Sequence, residues 1–85
     1  MKVRDYFEKE KARLASRYAE TEIELEILEV AWERVEESDI DPEEKERLKK
    51  YLSGLQERDR GRLKILTERT ALVSQILDKV SLTTV

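Results

Sequence analysis

The side chains able to do chemistry in this sequence are carboxylates, ammoniums and guanidiniums, and they cluster in two places. Among its 85 residues there is no His and no Cys. That removes the Ser–His and Cys–His nucleophile pairs, Cys/His zinc sites and the Glu-x-x-His ligands of di-iron bundles. Gly54 and Gly61 stand seven residues apart with charges between them, so no Gly-rich phosphate loop is formed. The expectation is a protein that is not an enzyme, with no catalytic residue, cofactor or metal.

The first cluster is acidic. Glu22, Glu26, Glu29 and Glu33 share one flank at helical spacing. They read as a solvated face, because a hard cation is normally wrapped by a loop rather than met by one helix flank. The second cluster is RDRGRLK, residues 58–64, which sets Arg58, Arg60, Arg62 and Lys64 close together, with Arg69 beyond. Such a run can contact nucleic-acid phosphates. A net charge of −3 and a pI near 5.1 oppose that use. Pairing with acidic residues of this chain, or of another protein, is the expected role. The C-terminal Thr83-Thr84-Val85 fits a carboxylate-captured peptide, an ending too common to carry an argument.

What must position these groups is helix. Charged residues make up 44% of the chain and aromatic ones 6%, with two Gly and one Pro, a profile of long helices or coiled coil. Residues 1–38 lack Gly and Pro altogether. Within them Phe7, Leu14, Thr21, Leu28 and Val35 share one heptad core position, and Lys11, Tyr18, Leu25 and Trp32 share the other. The stretch EIELEILEV, residues 22–30, alternates like a strand, yet the heptad stripe passes through it without a change of phase. SDIDPEE, residues 38–44, then supplies Asp41 as N-cap, Pro42 at the first helical position and Glu44 three residues after the cap. A second apolar series follows: Leu48, Leu52, Leu55, Leu63, Leu66, Val73, Ile76, Leu77 and Val80. Gly54 offers a place to break it, but the phase resumes at Leu63 and one continuous helix is expected.

The fold class expected is all-α: an antiparallel, coiled-coil-like two-helix hairpin dimerising into a four-helix bundle. The hairpin spans residues 1–80, with a helix over about 3–38, a turn at 39–41, a helix over about 42–80 and a frayed tail at 81–85. Facing residues should have numbers summing to about 80, which sets Leu14 against Leu66, Phe7 against Val73, Trp32 against Leu48 and Thr21 against Asp59. Charge supports this pairing, since residues 20–46 carry 13 acidic and 2 basic groups while residues 47–69 carry 8 basic and 3 acidic. Ile23, Ile27 and Val30 lie off the seam, and α-helical spacing displaces Ile65 and Leu72 likewise. A lone hairpin leaves these five wet, so they form the expected oligomer interface.

The function expected is that of an adaptor, scaffold or regulatory subunit working by protein–protein contact. It would be a homodimer, with a further protein partner as the rival occupant of the same face. The acidic tip at residues 36–46 and the basic stretch at 58–69 are the further contact surfaces. The alternative is a nucleic-acid-associated regulator using Arg58, Arg60, Arg62, Lys64 and Arg69. No apolar run approaches the roughly 20 residues that span a bilayer, and the charged start MKVRDYFEKEK lacks a signal-peptide pattern. A cytoplasmic protein without membrane contact is therefore expected.

Overall fold

A computed structural model describes residues 2–83, and the side chains of residues 2–80. They form two helices, α1 (Val3–Glu37) and α2 (Pro42–Thr83), packed along each other as an antiparallel hairpin. The segment EIELEILEV lies wholly within α1, and the described residues contain no strand. α2 passes through Gly54 and Gly61 without interruption, and neither glycine takes a positive φ. It continues to Thr83, past the expected end at residue 80. Thr84 and Val85, the end of the expected frayed tail, lie outside the described residues.

Local chemistry makes the turn sharp. Ser38 is extended (φ −75°, ψ 157°) and ends α1. Its hydroxyl and its N–H both donate to the Val35 carbonyl, at 2.7 and 3.2 Å. Asp41 precedes proline and is therefore disfavoured in helical conformation, whereas Pro42 brings a helical φ with no N–H to satisfy. The Asp41 carbonyl accepts the Lys45 N–H at 2.8 Å, the first bond of α2. Lys45 then reaches back, its Nζ donating to the Glu36 carbonyl at 2.9 Å. A cation on the carbonyl end of a helix is favourable, so the turn is fastened from both sides.

Along the seam, Leu14, Leu66 and Val73 are buried together, with Phe7, Tyr18 and Leu77 packed around them. This is the expected register. Leu28 is buried nearer the turn. In α2 the seam follows two seven-residue series, Lys45–Leu52–Asp59–Leu66–Val73–Val80 and Lys49–Gln56–Leu63–Thr70–Leu77, all at least partly buried. Two expected seam residues depart from it. Leu48 and Ile76 are 39% and 37% exposed, because both stand one position before the seam series. Lys49 takes the place expected for Leu48, its ammonium 4.7 Å from the centre of the Trp32 ring, a cation–π contact at the end of the core.

The hairpin is a plank of 67 × 16 × 14 Å with a radius of gyration of 19.2 Å. A compact chain of this length has a radius near 12 Å. Four hydrophobic side chains are buried, whereas ten large ones are exposed among the described residues.

A candidate interaction face over a polar layer

Midway along the plank the seam turns polar. Thr21, Gln56 and Asp59 are buried there, Asp59 completely. The Thr21 hydroxyl donates to the Arg17 carbonyl at 2.8 Å, satisfied within its own helix. Asp59 Oδ1 lies 3.4 Å from Arg58 Nε and 3.8 Å from Arg62 Nη1, but Oδ2 has no protein partner. A polar layer of this kind costs stability and in exchange fixes the register of paired helices. Only one alignment places Thr21 and Asp59 at the same level instead of driving the carboxylate against leucine.

At about 100° per residue, side chains one place before the α2 seam series fall on one broad face of the plank, and those one place after it on the other. The first face carries an open groove of about 450 Å³, lined by Arg17, Glu20, Thr21 and Glu24 from α1 and Arg62, Ile65, Leu66 and Arg69 from α2. Arg58 closes its rim, Nη2 donating to Glu24 Oε1 at 2.8 Å across the helices. Eight of the ten exposed large hydrophobics lie on this groove face: Val3, Tyr6 and Ile27 from α1, and Leu48, Tyr51, Ile65, Leu72 and Ile76 from α2. Among the described side chains beyond the seam, the opposite face has none that is apolar and larger than Ala. It carries Glu22, Glu26, Glu29, Glu33 and Glu36 from α1 and Lys50, Arg60 and Lys64 from α2. There Lys49 hydrogen-bonds the Glu36 carboxylate, and this bond, ahead of the Coulomb attraction, holds Glu36 below the usual carboxylate range.

The five expected interface residues therefore divide. Ile27, Ile65 and Leu72, at 62%, 49% and 58% exposure, lie on the groove face. Ile23 and Val30 sit farther round α1, about 170° from the seam, on the outer edge of the plank. The five expected phosphate contacts divide more sharply. Arg62 and Arg69 line the groove and Arg58 is bound to Glu24 and Asp59, while Arg60 and Lys64 emerge on the opposite face. Among the described residues no group of carboxylates is placed to hold a metal ion, the Glu22–Glu33 flank included. No helix described is long and apolar enough to cross a membrane.

No known family, curated protein or solved structure matches this chain. The reading of this face thus rests on its own chemistry. Three of its features escaped the sequence reading: the burial of Gln56, the place of Arg17 in the groove, and the company that Tyr6, Leu48, Tyr51 and Ile76 keep. In α2, counting in sevens from both Asp59 and Lys49 finds them, since that count puts Gln56 in the seam and leaves Leu48, Tyr51 and Ile76 one place before it. In α1, Tyr6 stands one place before the Phe7–Leu14–Thr21 series and Arg17 four places before Thr21, on the same flank.

Proposed function

We propose that this chain is a non-enzymatic, self-associating helical hairpin, an adaptor, scaffold or regulatory subunit that acts through protein–protein contacts. A second copy covers the groove face in a two-fold four-helix bundle. The observation that carries this reading is the excess surface. The hairpin exposes 6833 Å², whereas a compact protein of its 10.1 kDa exposes about 5,300 Å². The difference, roughly 1,500 Å², exceeds the ~800 Å² that each partner covers in a standard interface. On the groove face apolar side chains flank a mixed-charge groove, the composition of an interface rather than of a solvated surface. Phosphate binding is less well supported, because the five cations it needs are divided between two faces.

Light scattering tests the proposal. The wild-type chain at about 100 μM should weigh twice its 10.1 kDa, and Ile27→Arg should shift it toward monomer by weakening association at least roughly tenfold, with much of its helicity by circular dichroism retained. A wild-type monomer at that concentration would remove the reading.

A further inference from the structure

The groove face also determines how the second copy lies on it. Two planks stacked face to face admit two kinds of two-fold axis in the plane between them. An axis along the plank keeps both turns at the same end and lays α1 of one copy over α2 of the other. An axis across the plank sets the turns at opposite ends and lays each helix over its own counterpart.

The charges separate these arrangements. On the groove face α2 presents Arg58, Arg62 and Arg69 with no carboxylate between Leu55 and Leu72, since Glu57 lies on the opposite face, Asp59 in the seam and Glu68 on the outer edge. Placing α2 over α2 sets arginine against arginine along the middle of the interface. Placing α1 over α2 sets Glu20 and Glu24 of one copy beside Arg58 and Arg62 of the other. Like charges facing across an interface are costly, and complementary ones fix orientation more than affinity.

The charges make the choice, and the apolar residues are compatible with it. Within one hairpin Trp32 lies level with Lys49 and Glu24 with Arg58. On that scale Ile27 is level with Leu55 and close to Tyr51, and Tyr6 is level with the span between Leu72 and Ile76. With α1 over α2, Ile27 of one copy meets Leu55 and Tyr51 of the other, and Tyr6 meets Leu72 and Ile76. Ile27 and Tyr6 thus find apolar partners, Ile65 falls level with Arg17, and the charged groove lies between the two apolar clusters. We infer that the chain self-associates with both turns at the same end, α1 of each copy lying across α2 of the other, held by Glu20 and Glu24 against Arg58 and Arg62. This rests on the self-association proposed above and specifies its geometry.

The chain has no cysteine, so Asp39→Cys in the exposed turn gives a single site for a nitroxide label. Pulsed dipolar spectroscopy then reads the distance between the two turns. Helices packed about 8–10 Å apart with turns at the same end give label separations on the order of 20–35 Å. The end-for-end arrangement separates them by roughly 55 Å, at ~1.5 Å per residue. The expected result is the short distance, with its dipolar signal lost on adding Tyr51→Arg and kept on adding Lys64→Ala. A dimer with labels near 55 Å overturns this geometry and leaves the self-association intact. A short distance that survives Tyr51→Arg overturns the choice of face. A monomeric chain, seen as an absent dipolar signal and a single-chain mass, overturns both proposals.

Discussion

The two broad faces of this plank come from the same two helices, each in one continuous run, yet they obey different rules. On the groove face, large apolar side chains remain uncovered on both sides of a cluster of arginines and glutamates. On the opposite face every described side chain beyond the seam that is larger than Ala is polar, and the acidic flank of α1 lies beside the lysines and arginines of α2. Water satisfies the second face as it stands. It leaves the first with unburied area that two helices have no means of covering. The lesson is that a heptad seam does not by itself define a helical protein. The residues one step to either side of the seam decide whether the hairpin is a finished object or half of one.

Beneath the groove lies the part of the seam that contrasts most with its leucines, and it offers the largest expected effect. Asp59 is completely buried with Oδ2 unpartnered, and its nearest cations stand at the long end of ion-pair distance. Burying a poorly compensated carboxylate is costly, and hydrophobic replacement of such groups is often stabilising. Asp59→Leu should raise the stability of the hairpin by about 1–3 kcal/mol, read from denaturant midpoints at a fixed protein concentration. It should also broaden the size distribution by sedimentation, because the layer that penalises slipped pairings is gone. A loss of stability would show that Arg58 and Arg62 compensate the carboxylate well enough to make this layer part of the core's strength.

Much of this architecture was legible in the residues. Phe7, Leu14, Leu28, Leu66 and Val73 announce a seam because burial acts on a seven-residue period. Asp41 and Pro42 announce a turn because their backbone preferences are local. Thr21 and Asp59 match in the sequence alone, since both interrupt the stripe at the same level. The faces were harder to read. Ile23, Ile27 and Val30 stand out as unmatched, but which face each occupies depends on the phase of the seam, and a one-place error at Leu48 moves a residue from core to flank. Lys49 hides that phase, because a lysine reads as solvent-exposed until its ammonium is seen over the Trp32 ring. The assignment of Arg60 and Lys64 to the face away from Arg62 follows from the same phase, and a run of basic residues read linearly conceals it.

A smaller effect checks that the outer edge of α2 belongs to neither face. Gly54 and Gly61 are exposed helical residues, and a Cβ at either would meet nothing within 4 Å. Glycine in a helix interior costs about 0.5–1 kcal/mol relative to alanine. Gly54→Ala and Gly61→Ala should each raise the unfolding midpoint accordingly, and the mass by light scattering should be unchanged. A change in assembly with either substitution would place this edge in an interface and break the two-face description.

The smallest effect belongs to the polar face. Glu36 is held below the usual carboxylate range by its hydrogen bond from Lys49; burial opposes this next, and the charges of Lys49 and Lys45, each a smaller effect, lower it further. A carboxylate whose affinity for a proton is lowered by folding stabilises the fold only while ionised. Its contribution is therefore complete at neutral pH, and it disappears as pH falls below the ordinary glutamate range and through the lower folded value. Glu36→Gln should unfold slightly more easily than wild type at pH 7, and the two curves should converge in acid. Because the pair is open to solvent, the neutral-pH difference should also shrink in concentrated salt. A difference that persists at low pH would mean that Glu36 acts through packing over the turn instead of through charge, and the contrast between an electrostatic face and an apolar one would weaken at that end of the plank.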